Sequence, residues 1–176
     1  MILMTGEYNE HGKLCARVMI GSNTLLVDRK PVQLLDETLK YIGFDLRGAI
    51  KGAKEILGNR KMCPFVINPY QGVCLFPNKS PRKEDCIWFN PDHIVDFRAR
   101  GTKTVVELSN GISMIVETKH HTLNNKIQLA LKLKRISSER GKLTTPLSLF
   151  TATKIKELRF NATTGKYNFG SLEHKG

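Results

Sequence analysis

The chain has 176 residues, the size of one domain, and 40% of them are hydrophobic, enough for a buried core. Its 28 Lys and Arg outnumber its 16 Asp and Glu, so the formal net charge is +12. This excess favours a polyanionic partner, and the alternative is a merely solubilising basic surface. No segment approaches the roughly 18 apolar residues that span a bilayer, and the N-terminus lacks the basic and apolar regions of a signal peptide. We therefore expect a cytoplasmic protein with no membrane partner.

The N-terminal part is predicted to form a β-hairpin and then a helix. Apolar-rich runs at residues 14–20 and 24–27 flank a Gly-Ser-Asn turn. Pro31 is a favoured first residue of a helix, and apolar residues then recur at spacings of three and four. Gly43 ends this pattern, because glycine is common just after a helix.

A second helix is predicted at residues 46–57. Asp45 can accept hydrogen bonds from its first turn, and Gly58 lies just past its end. Its apolar stripe leaves an opposite face that carries basic residues. The candidate contact residues are Arg47, Lys51 and Lys54, and Glu55 lies among them.

The block that follows is predicted to form strands. Five of the seven prolines lie in it, and they leave apolar runs at residues 65–67, 73–76 and 86–89, too short for helices. Trp88 lies in the third run and is predicted to be a core residue. The loop before this run carries two further candidate contact residues, Arg82 and Lys83.

The strands are predicted to continue to residue 118. Residues 93–100 alternate as in a strand, and Asn110-Gly111 separates apolar-rich runs at 102–108 and 112–118. Asn-Gly between two such runs is a strong hairpin signal. We therefore expect one antiparallel meander through this whole region.

A third helix is predicted at residues 123–136, with Thr122 as a candidate cap. One face is broadly apolar, and the other carries amides and cations but no acid, which is typical of surfaces that contact phosphates. The alternative is a solvated face on a basic protein. The candidate contact residues here are Asn124, Gln128, Lys132 and Arg135.

The sequence therefore predicts an α+β fold: an N-terminal hairpin and two helices, then an antiparallel β-meander followed by a C-terminal helix. Residues 1–140 are predicted to be one domain, and 141–176 a basic extension that is partly ordered or flexible. Residues 154–160 can form a short helix or strand, and the rest reads as loop or tail. Between Lys119 and Lys166, 11 Lys and Arg face only 2 Glu.

Motifs for catalysis or metal binding are absent from the sequence. There is no GxGxxG, GxxxxGK[ST] or GxSxG pattern, and no convincing set of separated carboxylates that could hold Mg²⁺. His120 and His121 are adjacent, so they point apart, and the four cysteines form no CxxC pair. We expect neither an enzyme nor a cofactor or metal, and we expect reduced, largely buried thiols.

An ordered set of residues carries a family resemblance. It comprises Lys30-Pro31, Gln33, Gly43, Pro64, Pro69, Phe76-Pro77, Trp88 and Asn110-Gly111. In order and spacing, this set resembles the competence transcription factor (ComK) family of Gram-positive bacteria over residues 27–136. The resemblance implies an activator of genes for DNA uptake. It also implies a homodimer or higher oligomer that binds paired A/T-rich boxes largely through the minor groove, and removal through a proteolytic adaptor.

The sequence departs from the family pattern at three places. Leu39-Lys40 stands where a Cys-Arg pair is usual, and Phe44-Asp45 follows Gly43 where a Ser-Ser pair is common. The adaptor-binding segment has no clear counterpart around Leu149-Phe150. These differences leave open a divergent paralogue that acts through protein interactions, and a basic RNA-binding module is the other alternative. Residues 43–45 are the nearest approach to a helix-turn-helix, which needs a base-reading second helix.

Overall fold

The computed structural model describes residues 1–142 and 160–167 of the chain. The chain divides into two compact units, Met1–Gly141 and Lys142–Gly176. The first unit is a mixed α+β structure in which the expected hairpin, two helices, strands and last helix follow one another in the predicted order. The predicted fold class is therefore confirmed.

The elements of the described residues are β1 (Leu3–Tyr8), β2 (Leu14–Ile20), β3 (Asn23–Val27), α1 (Pro31–Tyr41), α2 (Leu46–Leu57), β4 (Phe65–Asn68), β5 (Val73–Pro77), β6 (Trp88–Phe89), β7 (Ile94–Arg100), β8 (Lys103–Leu108), β9 (Ser113–Val116), α3 (His120–Lys142), β10 (Phe160–Asn161) and β11 (Lys166–Tyr167).

Strand β1 was not predicted, yet it joins the two halves of a six-stranded sheet with the order β3-β2-β1-β6-β5-β4. It pairs antiparallel with β2 along its whole length and with β6 near Trp88. Its start has consecutive apolar residues instead of alternation, because both faces of the sheet are covered there. Leu3 belongs to the buried cluster that contains Val106 and Leu123, and Met4 belongs to a second cluster that contains Leu35.

The predicted meander is split into two sheets. Strands β7, β8 and β9 form a separate three-stranded antiparallel sheet, and a 3₁₀ turn at Pro91–His93 breaks the chain before them. Proline has no N–H for a sheet ladder, and the Asn90 side chain accepts a hydrogen bond from the Asp92 N–H at 3.1 Å. Strand β6 therefore pairs with β1 and β5, and not with β7.

Helices α1 and α2 agree with the predicted segments. Asp45 caps α2, because its carboxylate accepts a 2.8 Å hydrogen bond from the Gly48 N–H. Helix α3 is longer than predicted and begins two residues before Thr122, so Thr122 is not its cap. Its buried face is narrower than expected, since Leu131 is exposed.

Trp88 is a core residue, as predicted. Its side chain is 2% exposed and meets the Phe65 ring edge-on, with ring centroids 5.6 Å apart. The four cysteines are free and buried. Burial raises the pKa of the Cys74 thiol to about 12, as expected of a cysteine that packs as a small apolar residue.

In the second unit, the structure describes Lys142 and residues 160–167. Phe160–Asn161 pairs antiparallel with Lys166–Tyr167, so part of the predicted loop or tail is a short hairpin. Most of the predicted 154–160 element, and Leu149-Phe150, lie outside the described residues. Among the helices that are described, none combines the length and apolar character needed to cross a membrane.

Candidate nucleic-acid interface

A groove of about 640 Å³ lies between α1 and α2 and is bordered by all three candidate cations of α2. Val32, Leu46 and Ile50 give it an apolar lining. The three cations recur at spacings of four and three, which places them in one row along the helix. The residues of this row are Arg47, Lys51 and Lys54.

The acid that borders this groove, Asp36, is occupied by structural contacts. Its carboxylate lies 2.7 Å from the Lys40 ammonium and accepts a 3.0 Å hydrogen bond from the Leu46 N–H. These two partners hold the pKa of Asp36 below its ordinary value. Asp36 therefore joins the end of α1 to the start of α2 and fixes the groove between them.

The loop with Arg82 and Lys83 borders an adjoining groove. This groove is also lined by Lys30, and it shares Val32 and Gln33 of α1 with the first groove. The structure thus brings two candidate sets, on α2 and in the loop, to neighbouring grooves around the first turn of α1.

The basic loop is held in place by strand ends on both sides. The backbone N–H of Asn78 donates to the Ile87 carbonyl at 2.9 Å, and the Asn78 side chain accepts from the Ile87 N–H at 2.8 Å. Gly6 of β1 lies directly under the loop, where a Cβ would be only 2.1 Å from the Glu84 carbonyl oxygen. A residue without a side chain is therefore required for the loop to pack this closely on β1.

Ion pairing occupies several of the basic residues on the sheets. Arg17 pairs with Glu7 at 2.5 Å, and Lys103 pairs with Glu117 at 2.5 Å. Within residues 1–142 and 160–167, no ion pair involves any cation that was predicted as a contact residue. Their charge is therefore available to an external anion.

The candidate set on α3 lies apart from these grooves. Asn124, Gln128, Lys132 and Arg135 form one row, and Gln128 donates to the Asn124 side chain at 3.5 Å. None of these four residues lines either groove. The α3 residues that line a separate cavity with α2 are Leu133 and Ser137.

The expected absence of acids on the outer face of α3 does not hold for the observed helix. The helix extends to Lys142, and Glu139 follows Arg135 at a spacing of four, which places it on the same face. Glu55 of α2 likewise follows Lys51 at a spacing of four, so each of the two basic helix faces includes an acid.

The sequence did not identify two residues that border the candidate interface, Lys30 and Gln33. The Gln33 side chain accepts a 3.2 Å hydrogen bond from the Lys30 N–H, which shapes the first turn of α1 where the two grooves meet. The sequence Lys30-Pro31 followed by Gln33 could have indicated these residues. It was interpreted only as the start of a helix and as part of the family resemblance.

Comparisons with known proteins agree with this architecture. The ComK protein family matches residues 1–142. A competence transcription factor of Bacillus subtilis (strain 168) is 26% identical over 117 residues, a match that covers 66% of this chain and 61% of that protein. No solved structure matches the chain. Because the family match covers most of the chain, including every element that borders the two grooves, this protein belongs to the ComK family.

Proposed function

We propose that this protein is a sequence-specific DNA-binding transcriptional activator of competence genes, which binds A/T-rich promoter boxes largely through the minor groove. The observation that carries the proposal is the set of cations without acid partners on α2 and in the 81–84 loop, which border two adjoining grooves. Membership of the ComK family and the name of the Bacillus subtilis relative support it.

The physics of A-tract DNA suits such a surface. A-tracts have a narrow minor groove with enhanced negative potential, which attracts inserted Arg and Lys side chains. The row from Arg47 to Lys54 extends about 10 Å along α2, at 1.5 Å per residue. The backbone of a capped helix is already ordered before binding, so the helix holds its cations in a fixed row for a ligand that is recognised through its shape and potential.

The family departures in α1 and α2 have structural roles in this chain. Leu39 is buried in the core, Lys40 pairs with Asp36, and Asp45 caps α2. These residues stabilise the helices that carry the candidate cations. The differences are therefore compatible with retained DNA binding, and a divergent paralogue is not required to explain them.

We further propose that the protein acts as a homodimer or higher oligomer, because paired boxes need two matching basic faces. The apolar side of α3 is an unsuitable interface, since Leu123, Ile127, Ala130 and Leu133 are buried in the core. An edge strand is the better candidate. Strand β3 is an uncharged edge whose Leu25 is exposed. A proteolytic adaptor and a cytoplasmic location are also proposed, both from family membership.

Binding to an A/T-box duplex, a scrambled duplex and a single-stranded RNA tests the function directly. We expect preference for the A/T-box duplex and a slope of log K against log salt of about −0.9 for each phosphate neutralised. Preference for RNA would favour an RNA-binding module. Absence of binding to all three would favour a protein that acts through protein interactions.

A further inference from the structure

A third basic cavity lies at the start of α3 and contains none of the predicted contact residues. It has a volume of about 470 Å³. One wall is the loop after α2, with Arg60 and Lys61, and the other is the first turns of α3, with His121, Asn125 and Lys126. No Asp or Glu lines it.

The side chains around this cavity retain free hydrogen-bond donors. Arg60 uses its Nε–H on the Leu57 carbonyl at 3.1 Å, which leaves four of its five N–H donors. Lys126 donates to the Pro77 carbonyl at 3.0 Å and to the Met62 Sδ at 3.9 Å, which leaves one of the three donors of its ammonium. In the described part of the chain, no ion pair involves Lys61 or Lys126.

Lys126 carries a charge that its surroundings do not compensate. Partial burial lowers the pKa of its ammonium. The neighbouring loop also has an unusual backbone, because Met62 has a positive φ of 53°, which is costly for a residue with a side chain. An anion that enters the cavity would compensate the charge of this half-buried ammonium.

The cavity continues the row of cations on α2. Residues of α2 from Gly48 to Ile56 line a cavity with Ser137 of α3, and the loop after α2 lines the new cavity with His121. Lys54 and Arg60 both act electrostatically on Cys63, which lines the new cavity. Lys54, the last cation of the row on α2, therefore lies near this cavity.

We propose that this cavity binds a phosphate of the nucleic-acid backbone, with Arg60, Lys61 and Lys126 as its principal donors. The proposal rests on the proposed function and deepens it. It places the principal α3 contact at the first turns of the helix and leaves the row of Lys132 and Arg135 as a weaker one. A phosphate oxygen accepts several hydrogen bonds at once, so it matches a cavity lined by Arg and Lys and free of acids.

The test combines an anion titration with duplex binding. Inorganic phosphate is added to ¹⁵N-labelled protein, with sodium chloride of equal ionic strength as reference. We expect chemical-shift changes confined to residues 58–64 and 120–126, and their loss in the double variant Arg60→Gln, Lys61→Gln. The matched control is Arg98→Gln, Lys103→Gln, which removes the same charge from the three-stranded sheet.

Duplex binding is measured for the same variants across a range of salt concentrations. We expect the slope of log K against log salt to be about 1.8 shallower in the cavity variant, for two lost contacts, and unchanged in the control. Equal slopes in the two variants overturn the proposal, whether or not free phosphate binds. If the wild type binds no duplex, the proposed function fails. In that case the phosphate titration alone tests whether the cavity binds phosphate. Chemical-shift changes confined to residues 58–64 and 120–126 support a phosphate site, and absent or evenly spread changes overturn it.

Discussion

Replacing Gly6 with Ala tests how the basic loop is held. The new Cβ would lie 2.1 Å from the Glu84 carbonyl oxygen and 3.1 Å from a Leu14 methyl group, although real Cβ contacts are essentially never closer than 3.0 Å. The loop must therefore move by about 1 Å or β1 must shift. Overpacking of this kind costs about 1–3 kcal/mol. For a chain of this size, that corresponds to a fall in Tm of about 2–12 °C.

Gly52→Ala is the matched control. Gly52 is inside α2, and a Cβ there meets nothing within 4 Å. The same substitution should therefore stabilise the protein by about 0.5–1 kcal/mol, because alanine favours a helix more than glycine does.

Thermal unfolding followed by circular dichroism gives the stabilities, and duplex binding gives the functional effect. We expect Gly6→Ala to weaken duplex binding, since it displaces Arg82 and Lys83, and Gly52→Ala to leave it unchanged. A Gly6→Ala protein with wild-type Tm and wild-type duplex affinity would refute the close approach of the loop to β1.

Four further predictions concern the core, the helix joint, α3 and assembly. Trp88→Ala should lower the free energy of unfolding by about 3–5 kcal/mol in urea titrations, and a stable variant that has lost only DNA binding would show that Trp88 is a contact residue. Folding lowers the pKa of Asp36 below its ordinary value of 3.8, so its ionised carboxylate stabilises the fold at pH values above 3.8. This stabilisation is lost as the pH falls through the lowered pKa of the folded state. Unfolding measured between pH 2 and 6 should therefore be less pH-dependent in Asp36→Asn, and equal pH profiles would exclude this role. Replacing Lys132 and Arg135 with Gln should weaken duplex binding less than the same change at the α2 cations, with unaltered Tm, and wild-type affinity would remove the α3 row from the interface. Light scattering at micromolar concentration should detect self-association with a two-box duplex, and a strict monomer with equal affinity for one box and two would contradict it.

Local signals in the sequence were sufficient for α1 and α2, for the β2–β3 and β8–β9 hairpins, and for one core residue. The spacing of apolar residues, the Asp45 cap and the flanking glycines predicted α1 and α2, because these interactions lie within a few residues of each other. Asn110-Gly111 predicted the turn between β8 and β9, which is also a local feature. Gly111 has the positive φ of 81° that such turns need. The proline-bounded position of Trp88 also predicted its burial correctly.

The tertiary structure decided how distant segments meet. Strand β1 joins β2 to β6, a pairing between residues more than 80 positions apart that no local periodicity encodes. The same long-range packing brings the 81–84 loop beside α1 and places Arg60 and Lys61 opposite the start of α3, while Lys132 and Arg135 lie outside these cavities. Sequence alone determined which residues are cationic, but only the fold determined which of them share a surface, because strand order and helix direction depend on contacts across the core.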